Sequence, residues 1–369
     1  MNPRYIIGPL ILLLVGLQTS RASDILVRIE NPPPGGSIAF LFYDDPNTFG
    51  DLRDPALIRV EASDGRKEFS IPGVPPGEYA LVVYYDENGN GRLDKNFIGI
   101  PKEALAFSNA YQPKGPPSYT RAAFRLSDDE VRTFDVELYQ ALGKRGRIGI
   151  GLGAIMRSSP YRDYDGGVYQ FIPAITYTGS RLQWFGPRLQ LGLAGSGRLR
   201  LAATGEYRIG VYKEDGSDYL KGMGDAESTL MAGLALNVEL PGGVDLSLGS
   251  SADALGRIGG YQASVALDKS FQLGIVRIGP NLAVNWMDEE LAAADFGVPA
   301  GKATPWRPAY EPGALISLEG GVGLFIEVTT DWLIAANAGV EWLDDDASRS
   351  PIVEEQYVIK GFAALNYVF

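Results

Sequence analysis

The chain has 369 residues, no cysteine, no histidine and a formal net charge of −12 with a pI near 4.7. That length allows two domains, or one large barrel with an appendage. The composition excludes disulfides, an amino-terminal Cys lipid anchor, zinc sites built on His or Cys, and His-based hydrolysis. An acidic chain also speaks against a nucleic-acid partner, whose phosphates need a basic face.

The first residues read as an export signal spanning 1–22. Arg4 supplies the positive region, residues 6–17 the apolar stretch, and Ser20-Arg21-Ala22 a small-x-small cleavage site. The apolar run is too short for a bilayer and holds Gly8, Pro9 and Gly16. Cleavage after Ala22 leaves a mature chain beginning at Ser23. Beyond it no stretch of about 18 apolar residues occurs, so any membrane domain is a barrel.

Residues 23–143 read as short strands divided by Pro and Gly, at 25–29, 38–43, 58–60, 67–71, 79–85, 122–126 and 133–138. This spacing predicts a compact β-sandwich. Gly73-Val74-Pro75-Pro76-Gly77-Glu78-Tyr79 resembles the strand entry of transthyretin-like sandwiches, so a transthyretin/Ig-like fold is expected. The sharpest local feature is the loop from Asp86 to Asp94. Asp86, Asn88, Asn90 and Asp94 place oxygens at positions 1, 3, 5 and 9 of a calcium loop, with Gly91 at position 6. Position 12 is Phe97, so the bidentate carboxylate is missing and any calcium site is weak. The competing reading is a turn braced by Asx hydrogen bonds. With Asn96-Phe97-Ile98-Gly99-Ile100-Pro101-Lys102, Phe107-Ser108-Asn109 and Gly115-Pro116-Pro117-Ser118-Tyr119, the stretch resembles small exported bacterial β domains of unknown function. That resemblance implies a secreted module and brings no activity.

After a linker at 140–146 the pattern lengthens and alternates with period two. Leu199, Leu201, Ala203, Tyr207 and Ile209 share a face, as do Leu230, Leu234, Leu236, Val238 and Leu240. Trp332, Ile334, Ala336, Ala338, Val340 and Trp342 form a row with a Trp at each end, as a membrane strand between two aromatic girdles requires. The last segment carries Ala363, Leu365, Tyr367 and the terminal Phe369 on one face, which suits the closing strand of a barrel. A soluble sandwich is the competing reading, and it uses shorter strands. Residues 147–369 are therefore expected to form a transmembrane antiparallel β-barrel, making the whole chain all-β. About twelve strands start near 147, 167, 182, 198, 227, 244, 260, 276, 308, 322, 332 and 355. Even parity puts both ends, and the amino-terminal module, in the periplasm. It also puts the long segments 211–226 and 287–307 there, where turns are normally short. Arg198, Arg200, Glu206, Arg208, Asn237, Glu239 and Asp268 are expected to face the lumen, either lining a channel or pairing to plug it.

Tyr161-Arg162-Asp163-Tyr164-Asp165-Gly166-Gly167, Leu220-Lys221-Gly222-Met223-Gly224-Asp225-Ala226, Phe296-Gly297-Val298, Trp342-Leu343-Asp344-Asp345-Asp346-Ala347, Ser350-Pro351-Ile352-Val353 and Tyr367-Val368-Phe369 carry a second resemblance. In these the carboxy-terminal half resembles the MipA/OmpV outer-membrane proteins, here fused to an extra module. The resemblance implies an outer-membrane barrel embedded in lipid. It also implies a scaffold for murein hydrolase and synthase proteins of the periplasm. A non-enzymatic scaffold is thus the first expectation, with no catalytic residues and no cofactor beyond weak calcium. An outer-membrane channel for small solutes is the alternative. A His-free enzyme using Asp344-Asp345-Asp346 or Glu354-Glu355 is a third reading, and the competing one is a plain solvated loop, which such acidic runs usually are.

Overall fold

The computed structural model describes residues 22–164 and 167–369. The export signal, but for Ala22, lies outside the described residues.

The amino-terminal module is built from β1 (Ser23–Ile29), β2 (Ser37–Tyr43), β3 (Leu57–Ala62), β4 (Glu68–Val74), β5 (Gly77–Asp86), β6 (Leu105–Phe107), β7 (Ala123–Leu126) and β8 (Val131–Val136). One sheet runs β4-β1-β8, with β1 antiparallel to β4 and parallel to β8; the other runs β3-β2-β5-β6, with β7 on β5. Alternation explains the outer sheet: Ile25, Val27 and Ile29 point inward against Phe69, Ile71, Phe134 and Val136. β2 and β5 are apolar on both faces, and the structure covers both. Phe40, Phe42, Leu81 and Val83 meet the first sheet, while Ala39, Tyr43, Val82 and Tyr84 meet a second cluster. That cluster is closed by Phe49 of α1 (Pro46–Gly50), by Phe107 and Tyr111, and by Tyr119 of α2 (Tyr119–Ala122). The module thus has a third layer made of loops.

The second half closes into a barrel. Its strands are β9 (Arg147–Arg157), β10 (Val168–Thr178), β11 (Leu182–Phe185), β12 (Arg188–Ser196), β13 (Leu199–Arg208), β14 (Thr229–Leu240) and β15 (Val244–Asp253). They continue as β16 (Tyr261–Lys269), β17 (Phe271–Leu273), β18 (Val276–Met287), β19 (Leu315–Glu327), β20 (Trp332–Trp342) and β21 (Tyr357–Val368). Every neighbouring pair is antiparallel, and β21 returns to β9 from Lys360↔Arg157 to Val368↔Gly149. β16 and β17 both pair with β18 and are two parts of one strand, so the described wall has twelve. The apolar rows face outward: Trp332 is 42% exposed and Trp342 48%, as a lipid-facing girdle demands. One junction is thin. β10 meets β11 only at Thr176–Thr178, so residues 168–175 have a ladder on the β9 side alone.

The strand count agrees with the sequence reading, but two strand assignments are corrected. The segment from 182 is a hairpin, β11 and β12, turned by Gly186-Pro187 with Gly186 at φ 57°. The starts at 308 and 322 belong to the single strand β19, whose glycines lie inside the ladder. These errors cancelled in number while inverting every strand between. With them corrected, the segments 211–226 and 287–307 move to the end opposite the short turns 179–181, 241–243 and 328–331. Long extracellular loops and short periplasmic turns are the rule for such barrels.

The long loops fold into their own core. Tyr161, Tyr212, Leu220, Met223, Phe296, Val298, Ala347, Ile352 and Val353 pack together, helped by α3 (Glu289–Phe296). All the internal stretches that carried the family resemblance therefore meet in one extracellular cap. At the other end the module's loop layer sits in the periplasmic mouth.

Candidate functional site

The site is the mouth that the module fills, at the end opposite the loop cap. Its centre is Asp51, just after α1, which pairs with Arg53 of the module and with Arg277 on β18 of the barrel. Arg53 reaches across to Glu239 at 2.9 Å. Arg277 also donates to the Gly50 carbonyl at 3.1 Å, and the Gln272 amide donates to Asn47 Oδ1 at 2.9 Å. Burial raises the Asp51 carboxyl, and Arg277 and Arg53 more than reverse this, holding it below its ordinary value. Lys95 Nζ donates to the Asp51 carbonyl at 2.5 Å, and burial pulls its ammonium below the ordinary lysine value.

A second anchor lies across the mouth. The Tyr111 hydroxyl donates to Glu327 at the end of β19, Arg121 donates to the Glu327 and Val328 carbonyls at 2.9 and 2.8 Å, and Lys114 pairs with Asp331 at 2.8 Å. Burial, then the bond to Glu327, raises the Tyr111 hydroxyl well above the ordinary tyrosine value. Shape completes the fit. A Cβ on Gly115 would lie 2.6 Å from the Phe325 ring, and any side chain at Gly192 would collide with the Phe97 ring. Phe97, which denies the calcium loop its twelfth-position carboxylate, is therefore the plug that fills the space over β12.

Between module and barrel remains a cavity of about 540 Å³. Its lining combines six basic and three acidic side chains with apolar groups such as Ile98, Ile100, Phe185, Phe325 and Leu333.

The residues singled out for the lumen are placed as follows. Arg200 is 3.4 Å from Asp245, Arg208 is 2.5 Å from Asp295 of α3, Glu206 is 3.0 Å from Arg188, and Glu239 holds Arg53. Asn237 Oδ1 accepts from Ser247 Oγ at 2.9 Å, and Asp268 stands opposite Asp245 and Asn281 in the ladder. Arg198 lies in the turn before β13, with its side chain exposed. Sequence reasoning missed Lys360, which lies 2.8 Å from both Glu319 and Glu341, and it missed Asp51, Arg277 and Glu327. The period-two register marks Glu319, Glu341 and Glu327 as one face, whereas nothing local announces a partner from the other domain.

In the calcium-loop candidate, Asp86 accepts from the Asn90 and Gly91 amides at 3.1 and 2.8 Å. Asn88 and Asn90 both turn Nδ2 toward Asp94 Oδ2, at 2.7 and 3.2 Å. Glu103, 8% exposed, accepts from the Asp94 amide at 3.0 Å, and its Oε1 is buried with no hydrogen-bond partner. Among the described residues no group of three or more His, Cys, Asp or Glu is already arranged around a cation position.

Comparison with known proteins places both halves. The profile of the family described as "MltA-interacting protein MipA" matches residues 150–369, and that of an uncharacterized family conserved in bacteria (DUF2141) matches 27–133. MltA-interacting protein of Escherichia coli K12 is 25% identical over 243 residues, covering 61% of this chain and 91% of the relative. YiaT of the same strain is 24% identical over 226 residues, covering 58% and 88%. Among solved structures, the NanC porin is 6% identical with a TM-score of 0.30, covering 59% of this chain and 98% of its own. With more than half its length matched, an antiparallel barrel of twelve strands and an aromatic-edged lipid face, this chain belongs to the MipA family and is an outer-membrane β-barrel protein.

Proposed function

We propose that this protein is a non-enzymatic scaffold that holds its module at the periplasmic face of the outer membrane for peptidoglycan-remodelling enzymes. The observation that carries this reading is the seating of the module. Its loop layer stoppers the barrel, which turns the β4-β1-β8 sheet away from the membrane with Asp24, Arg28, Glu68 and Asp135 exposed. The name of the E. coli relative, MltA-interacting protein, supports a murein enzyme as partner. The test is cross-linking of the full chain in cells, followed by identification of the captured proteins. A murein-cleaving or murein-synthesising enzyme is expected, with its yield lowered by Arg28→Ala plus Asp135→Ala. Recovery of outer-membrane neighbours alone overturns the proposal.

A channel for small solutes is the second reading. The cavity at the stoppered mouth favours it, because that space lies between the lumen and the module. For the loop from Asp86 to Asp94 we propose a weak calcium site completed from outside the loop by Glu103. Occupancy requires Asn88 and Asn90 to turn their amide oxygens toward Asp94.

A further inference from the structure

We infer that the cavity between module and barrel binds a small organic anion: an oxyanion carried on a compact apolar body. The inference does not depend on the scaffold reading. Three observations carry it. In a chain of net charge −12, the lining of this one cavity holds twice as many basic as acidic side chains.

The ion pairs across the mouth use up the acids and leave cations over. Arg53 and Arg277 share Asp51, Arg53 also takes Glu239, and Arg200 takes Asp245. Lys95 and Arg147 hydrogen-bond backbone carbonyls only, those of Asp51 and of Pro113 at 3.0 Å, and Lys95 shares the fields of Glu239 and Asp51 with arginines already paired to them. A neutral carbonyl satisfies a hydrogen bond but not a charge, and buried charges are stable when paired.

The third observation is independent. Arg53 Nε and Arg200 Nε, both on this lining, are buried donors with no acceptor. Orphan guanidinium Nε groups also occur at Arg121, Arg157 and Arg307, but these two belong to side chains that line one space, where a turn of either guanidinium would present a donor to an acceptor. A planar oxyanion is the acceptor for which guanidinium geometry is suited. The rest of the wall selects what the anion is attached to. Ile98, Ile100, Phe185, Phe325 and Leu333 offer no hydrogen bonds and gain from excluding water. A bare inorganic ion leaves that surface wet, and a cation meets the unpaired charges of Lys95 and Arg147.

The full chain in lipid nanodiscs, with empty nanodiscs as blank, tests this by equilibrium dialysis against 4-phenylbutyrate, 4-phenylbutylamine and acetate. Saturable binding of about one 4-phenylbutyrate per chain is expected, with acetate weaker by about tenfold or more and the amine at blank level. Lys95→Met and Arg147→Met each keep an apolar stem and lower affinity about tenfold. Lys95→Arg and Arg147→Lys keep the charge and the binding, and Lys67→Met, exposed just before β4 and far from the cavity, changes nothing. Unboiled gel mobility shows for each variant that the barrel has folded. Binding of the carboxylate at blank level, equal binding of the amine or of acetate, or full binding by folded Lys95→Met and Arg147→Met overturns the inference.

Discussion

Asp51 joins the two halves of the molecule through one carboxylate. Two guanidinium groups share it, one from each side of the boundary, and all three side chains are mostly buried. Removing the shared charge leaves Arg53 with Glu239 and leaves Arg277 with a carbonyl. Asp51→Asn is expected to weaken seating of the module by about 1–3 kcal/mol, the upper end of which applies to a fully buried pair. The Gln272 amide reports on this directly, because it donates to Asn47 only while the module is docked. Its protection from hydrogen exchange is expected to fall about tenfold or more in the variant, and unchanged protection refutes the role. The sign of the pH effect follows from the depressed carboxyl. Its contribution is complete above the ordinary aspartate value of about 3.9 and is lost as pH falls through the lower folded value. Normalised for intrinsic exchange, wild type and Asp51→Asn should converge in that acid range. None of this was legible in advance. Asp51 sits in a run of Gly and Asp that reads as an ordinary loop, and its partner lies 226 residues away.

Loops and strands differed in how much their sequences disclosed. The lipid faces were legible, because alternation with Trp332 and Trp342 at the ends has few other uses. Strand boundaries failed where glycine has two meanings. Gly186-Pro187 makes a true turn, whereas Gly320, Gly321 and Gly323 sit within β19, where small residues let neighbouring strands approach. A Cβ at Gly321 would lie 2.9 Å from Asn281 Oδ1. In the loop from Asp86 to Asp94 the spacing was legible and the outside group was not. Glu103 is nine residues beyond Asp94, past any local motif. Burial, with Asp94 and Asp86 adding repulsion, raises its carboxyl above the ordinary value. A raised acid loses folded-state stability as pH rises above the unfolded value, so Glu103→Gln should stabilise the calcium-free chain at neutral pH. The same variant should abolish the heat of calcium binding in calorimetry. Calcium heat that survives in Glu103→Gln, or none in wild type, removes the proposed site.

At the scale of the whole molecule the barrel is covered at both ends, by the loop core outside and by the module beneath. Twelve strands enclose enough space for water and solutes unless something fills it. The full chain in planar bilayers is accordingly expected to be electrically silent at moderate voltage. Regular conductance steps from the intact protein would contradict a seated module and restore the channel reading. The acidic runs at Asp344 to Asp346 and at Glu354-Glu355 lie in the extracellular cap. There Asp344 caps a helical turn through the Asp346 amide, and Glu354 accepts from the Asp163 amide. These are structural duties. The thin junction between β10 and β11 has a consequence of its own. A cask fails where two staves barely touch, and here only three rungs hold the pair. Backbone groups bared toward fatty chains are costly, so heat is expected to part the wall first along that line. An opening there would face the bilayer and not water.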